Sequence, residues 1–417
     1  MSRPVRPKSR GVGDPFGAMP VTSWVAPALS GLGLIIVFLV TISLLGVDLS
    51  FGTGGTGGNA GNAGNAGGTT NRTPAPSDVV LPEPEAAFEG SILYAKAGNI
   101  WIQTGDAVRQ LTNSGADSMP SWSPDGTTVY YIQTTEEPGV WPSQGNVRRY
   151  LMTVPNLMSV PADGTGKPER LRTGKYRKNG KTWFYWMRQP MMSPNGKTFA
   201  LVSDGPDPTK SDVVLQFWDP AKKKTTIPKV SEVPPLGHQD PVWRPDGNML
   251  FYVRNGREGA KGAPVIFRWD VVKKTSAPVT GPGYLEPAFS PDGKYIAATR
   301  IDGFGSDVVI LDAAGGRELL RVTNDDGSWA PVWSPAGDAI AFLHIDGQIV
   351  DLWMATLDGT APTWTIKETK ALTTVSGLDG SSRPGWFIPA DRLPATPPPS
   401  VPASTVPSSG APASAAP

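Results

Sequence analysis

The chain has 417 residues, with 38 Lys and Arg against 37 Asp and Glu, a formal net charge of +1. That balance gives no nucleic-acid footprint and no acidic tail. It has no cysteine, which excludes a disulfide framework, a thiolate metal site, a cysteine nucleophile and a lipobox. Its two histidines, His238 and His344, exclude His-rich metal sites and most Ser-His-Asp triads by supply alone, and neither cofactor nor metal is expected.

Residues 1 to 24 carry Arg3, Arg6, Lys8 and Arg10 against one acid, Asp14, and read as a basic cytoplasmic tail. Residues 25 to 47 form an apolar run broken only by small or hydroxylated residues and Pro27. As a helix the run would span roughly 34 Å, enough to cross a bilayer. The basic flank then predicts a single-pass transmembrane helix at the cell membrane, with the amino terminus cytoplasmic and the remainder extracytoplasmic. A cleaved signal peptide is the alternative, opposed by the length of the run and the lack of a clean small-x-small site. Residues 48 to 88 are Gly-, Asn- and Pro-rich, a composition that predicts a flexible linker; some 35 such residues have an r.m.s. span of roughly 33 Å.

From 89 to 391 one motif organises the chain. Pro-x-Trp-Ser-Pro-Asp-Gly is clean at Pro120 to Gly126 and, with Phe for Trp, at Pro287 to Gly293. Variants occupy Pro190 to Gly196, Pro241 to Gly247 and Pro331 to Gly337, and an eroded copy runs from Pro384 to Pro389. The aromatic is the apolar payload of a short strand, Ser-Pro ends that strand, and Asp-Gly turns the chain through a glycine at positive φ. The runs after each turn, such as Thr198 to Val202 and Tyr295 to Thr299, are short and rich in β-branched or aromatic residues. Further strand-like pieces at Asp307 to Asp312 and Glu318 to Val322 complete a four-stranded antiparallel unit, the size of one propeller blade.

Ser91 to Ala95 looks like the run that should follow a motif, yet none precedes it; Pro384 to Pro389 is a motif with no strands after it. Joining these two orphans builds one blade from both ends of the region and brings the count to six. The prediction is an all-β, six-bladed propeller of four-stranded antiparallel blades, preceded by one transmembrane helix and a disordered linker. A Pro/Ala/Ser tail from 392 to 417 is expected to be disordered.

The repeat Pro-x-Trp-Ser-Pro-Asp-Gly-Lys-x-Ile-Ala, best seen at Pro287 to Ala297, resembles that of the TolB-type six-bladed propellers and of the propeller domains of prolyl-oligopeptidase-like enzymes. The resemblance covers about Ser91 to Pro389 and implies the fold; propellers host many activities. It departs from TolB in carrying an anchor and linker where that protein has an amino-terminal domain. No Gly-x-Ser-x-Gly occurs, so the hydrolase domain of the oligopeptidases is not implied.

Two functions are weighed. The first is a membrane-tethered binding or scaffold propeller of the cell envelope, not an enzyme, monomeric, taking a protein, peptide or glycan and no nucleic acid. The second is a hydrolase or lactonase with a carboxylate-lined channel, to which Asp240 and Glu286 could contribute. The segment before each motif should cross from the outer strand of one blade to the inner strand of the next, so six crossovers should ring one mouth of the channel. These supply the candidate partner-binding residues Asp117, Arg188, His238, Asp240, Tyr284, Glu286, Trp329 and Arg383. The insert from Thr134 to Pro155, with Trp141, Arg148 and Arg149, should overhang the same mouth. Trp122, Trp243, Trp333 and Trp386 hold equivalent motif positions and are expected in the core, whereas Lys222 to Lys224 and Lys175 to Lys181 read as solvated hairpins.

Overall fold

The computed structural model describes residues 87–143, 146–205, 213–230, 237–255 and 263–393. The expected transmembrane helix, almost all of the linker, and the tail from 394 onward lie outside the described residues. Among the described residues no helix is long and apolar enough to cross a membrane.

Six four-stranded antiparallel sheets make up the ring. Blade I comprises β4 (Asp117–Trp122), β5 (Thr128–Ser143), β6 (Asn146–Pro161) and β7 (Glu169–Thr173). After a small hairpin of β8 (Lys175–Lys178) and β9 (Lys181–Phe184), blade II comprises β10 (Met187–Met192), β11 (Phe199–Ser203), β12 (Val214–Asp219) and β13 (Lys224–Thr226). Blade III is β14 (His238–Trp243) to β17 (Thr275–Pro278), through β15 (Met249–Arg254) and β16 (Val265–Asp270). Blade IV is β18 (Tyr284–Phe289), β19 (Tyr295–Asp302), β20 (Gly305–Asp312) and β21 (Glu318–Arg321). Blade V is β22 (Ser328–Trp333), β23 (Ala339–Asp346), β24 (Ile349–Asp358) and β25 (Thr365–Ala371). Blade VI joins β26 (Gly385–Phe387) to β1 (Ser91–Lys96), β2 (Asn99–Thr104) and β3 (Ala107–Gln110), with Ser91 opposite Phe387, so the two orphans do pair.

Five of the six motif copies close a tight turn. Gly126 N–H donates to the Ser123 carbonyl at 3.0 Å, and the Asp125 carboxylate accepts from the Ser123 hydroxyl and Thr127 N–H. The glycine sits at φ +70°, a conformation that an L side chain resists. The same carbonyl-to-glycine bond recurs at Gly196, Gly247, Gly293 and Gly337.

Packing explains why one repeat cannot stand alone. Among the described residues there are six apolar clusters, each lying between two neighbouring blades. Along β1, Ile92 and Tyr94 face blade V while Leu93 and Ala95 face blade I. Successive side chains on a strand point to opposite faces, so a blade sandwiched on both sides becomes a continuous apolar run. β11, buried at all five residues, is such a run.

The insert from 134 to 155 is regular structure: it continues β5 and β6, with pairing unbroken from Thr134–Pro155 to Ser143–Asn146. Because Gln133 lies opposite Asp117 at the start of β4, the ribbon projects from the crossover mouth. The β8–β9 hairpin packs on it through Phe184, which occupies the space a side chain at Gly139 would need, and through a Lys175–Glu137 ion pair at 2.7 Å. The run from Lys175 to Lys181 is therefore a hairpin, as read, but a docked one.

Candidate functional site

The inner strand of every blade lines the channel, and in five of them the register slips by a bulge at the motif proline. The residue just before that proline adopts positive φ in each: Met119, Gln189, Asp240, Glu286 and Ala330, all between 52° and 54°. None is glycine, and such conformations cost on the order of 1 kcal/mol or more apiece, so surrounding contacts must hold them. The contacts form a girdle from blade to blade. Asp240 N–H donates to Gln189 Oε1 at 2.9 Å, Glu286 N–H to the Asp240 carboxylate, and Ala330 N–H to Glu286 Oε2 at 2.8 Å. Gln189 Nε2 returns a bond to Asp240 Oδ1 at 2.6 Å, and the Thr299 hydroxyl donates to Glu286 Oε2 at 2.6 Å. Ala330 has no polar side chain to continue the series. On the remaining side the Ser382 hydroxyl accepts from Met119 N–H at 2.8 Å, and Arg383 Nη2 donates to the Pro287 carbonyl at 2.7 Å.

Burial and like charge work against the ionised carboxyls of this girdle, and arginines oppose them. Burial raises the pKa of Asp240 against the pull of Arg383 and Arg188. Burial, reinforced by the charge of Asp240, also raises Glu286, while Arg383 opposes the shift. Glu286 is packed among its neighbours but is not fully covered. The Nε groups of Arg188 and Arg383 are buried without an acceptor.

Above the girdle, toward the Ser-Pro-Asp-Gly turns, lies a cavity of about 420 Å³. Gln189, Asp240 and Arg383 form its polar floor, and Met191, Val242, Val332 and the rings of Trp122 and Trp243 form its walls. Pro245, Pro291 and Pro335 from the turns rim it, with Leu393 beside them. Trp333 and Trp386 are core as expected, at 4% and 8% exposure, but Trp122 and Trp243 are only half-buried and serve as wall. Their indole N–H groups donate to the carbonyls of Gly385 and Met191 in the preceding blade, which fixes the rings.

Of the eight candidate residues, Asp240, Glu286, Arg188 and Arg383 come together, and the other four have structural tasks. Asp117 is buried and accepts from Gln133 Nε2 at 3.0 Å. Tyr284 donates its hydroxyl to Glu318, and the Trp329 indole donates to the Gly380 carbonyl. His238 accepts Leu215 N–H on Nδ1 at 3.0 Å. In blades III to VI a threonine takes the equivalent N–H: Thr280, Thr323, Thr373 and Thr112. His238 stands in for the threonine in blade II, and burial lowers its pKa to about 4. His344 contacts Ser328 and Asp325 through the same nitrogen, Nδ1, so no relay runs through its ring. Among the described residues no group of three or more His, Cys, Asp or Glu could hold a metal ion. The walls were missed from sequence; the positions one before and one after each motif proline would have identified most of them.

No protein-family model matches the chain, and no curated protein matches its sequence. Solved structures with a similar fold include TolB from Acinetobacter baumannii, at 18% identity and a TM-score of 0.50, covering 71% of this chain and 66% of that one. A protein assigned as TolB from Agrobacterium tumefaciens has 16% identity and a TM-score of 0.50, covering 73% of this chain and 95% of that one. An oligogalacturonate lyase in complex with manganese matches at 16% identity, with coverages of 62% and 83% and a TM-score of 0.42. The chain thus spans about two thirds of the Acinetobacter protein's length. The fold is that of a six-bladed β-propeller with TolB propellers among its structural neighbours.

Proposed function

We propose that this protein is a membrane-tethered, extracytoplasmic binding propeller of the cell envelope, which takes an extended peptide segment of a partner in the cleft on the Ser-Pro-Asp-Gly side of its channel. The cleft itself carries this reading: its size suits a small ligand, its walls are aromatic and aliphatic, and a few convergent polar groups form its floor. Aromatic anchors fixed by their own hydrogen bonds lose little freedom on binding. Asp240 and Glu286 converge as a hydrolase channel would require. Both, however, already accept backbone N–H groups from the next blade, and Arg383 balances their charge, which favours binding over catalysis.

Panning random peptides against the full chain tests the cleft. Selected peptides should bind the wild type and lose at least about tenfold in affinity to Met191→Glu and Val332→Asp, whose melting is checked in parallel. Peptides that bind both variants as they bind the wild type would refute the assignment. The tether through residues 25 to 47 is checked separately: carbonate washing of native membranes should leave the full-length chain in the pellet.

A further inference from the structure

Charge is unevenly distributed around the ring. Among the described residues from Arg148 to Lys229 there are fifteen Lys or Arg and four Asp or Glu, in blades I and II. From Tyr284 to Ala371, in blades IV and V on the far side, thirteen acids face six bases. The two sectors also differ in how their cations are used. Lys294, Arg300 and Arg321 in the acidic sector all sit on carboxylates. In the basic sector Arg172, Lys223, Lys224 and Lys229 have no carboxylate within ion-pair distance among the described residues; Lys222 is paired with Asp219 at 3.2 Å.

These cations line two recesses on the outer rim. One, of about 390 Å³ between blades I and II, is lined by Arg172, Tyr176, Tyr185, Trp218 and Lys223. The other, of about 580 Å³ between blades II and III, is lined by Phe217, Trp269, Lys222, Lys224, Lys229 and Lys274. The run Lys222 to Thr226 forms the ridge between them. Lys223, at φ +51°, and Thr225 face the first recess, whereas Lys222, Lys224 and Thr226 face the second. Asp219 is the one acid in either lining, and it is bonded to the N–H and Nζ of Lys222.

We infer that this rim binds a linear acidic polysaccharide laid across the ridge, its repeated negative charges meeting the free lysines and its sugar rings lying against the apolar groove floors. This site is separate from the channel cleft and does not depend on it. Several observations select this occupant. Several cations without carboxylate partners along one ridge call for repeated anions. Recessed grooves admit a chain but not a flat bilayer. Trp218 and Trp269 are each only 5% exposed, so the ring surface open to a sugar is that of the half-buried Tyr176, Tyr185 and Phe217. Carboxylate and phosphodiester polymers share the required chemistry.

Binding of the full chain in detergent is measured on surfaces carrying alginate, phosphomannan or neutral dextran. At least one acidic polymer should bind, with affinity falling steeply as salt rises, and dextran should not. Whichever acidic polymer binds more tightly identifies the anion. The triple variant Lys222→Gln, Lys223→Gln, Lys224→Gln should lose about tenfold, and the blade V control Lys367→Gln, Lys370→Gln should bind as the wild type does. Thermal melting confirms that both fold. Equal binding by the triple variant and wild type would overturn the assignment, as would equal binding to dextran. Tighter binding to a single-stranded oligonucleotide or to anionic vesicles than to either polymer would also overturn it.

Discussion

The girdle and the rim use charge in opposite ways. Inside the channel Asp240, Glu286 and Arg383 are taken up by one another and by backbone groups, and their bonds to the backbone link one blade to another. On the rim of blade II the lysines from 222 to 224 answer, among the described residues, to no carboxylate except at Lys222. Removing a member of the first set should unsettle the ring, and removing one of the second should leave it unmoved. A charged residue near a propeller channel is thus not evidence of a binding role until its partners have been traced.

The largest effect should come from breaking closure. Deleting Arg383 onward removes β26, Arg383 and the buried Trp386 and Ile388, and opens the edge of β1. The product should aggregate or fail to melt cooperatively. Deleting residues 394 to 417 removes no contact described above and should leave the melting temperature unchanged. Equal melting of the two truncations would remove the closure argument.

Arg383→Met should come next, at about 3 kcal/mol in a denaturant titration, because it leaves two carboxyls facing each other without their cation. A change within 0.5 kcal/mol would show that Arg188 alone balances the girdle.

Stability profiles against pH sharpen the contrast further, with opposite signs. The folded pKa of His238 is lowered from 6.5 to about 4, so its contribution is whole above pH 6.5 and is lost as pH falls toward 4. His238→Gln should therefore flatten the acid side of the profile. The folded pKa of Glu286 is raised, so its contribution is whole below the unfolded value and fades as pH rises through the folded one. Glu286→Gln should gain on the wild type between pH 5 and 8. Parallel profiles for either variant and wild type would deny that group its role.

The smallest effect belongs to the rim. Lys222→Gln should change stability by less than about 0.5 kcal/mol, since an exposed i,i+3 pair contributes little. A larger loss would make the rim lysines structural.

The ring itself was legible in the sequence because a single motif carries a strand end, a turn and an aromatic payload together, and because Ser91 to Ala95 and Pro384 to Pro389 each lacked what the other had. The girdle was legible only in part. Asp240, Glu286 and Arg383 precede motif prolines and were singled out by charge, but Met119, Gln189 and Ala330 share no side-chain chemistry with them. What unites Met119, Gln189, Asp240, Glu286 and Ala330 is a backbone bulge at positive φ, which a residue type other than glycine does not announce. The lysines from 222 to 224 were visible, yet the grooves on either side arise from strands of blades I and III far away in the chain.

Site-specific photocrosslinking tests the cleft most directly. A selected peptide is incubated with the full chain carrying a photoreactive residue at Met191 or Val332 in the cleft wall, or at Ser118 or Gln239 toward the crossover mouth. Peptide adducts at the first pair and none at the second are predicted. Adducts confined to Ser118 and Gln239 would contradict the cleft and move the site to the opposite mouth of the channel.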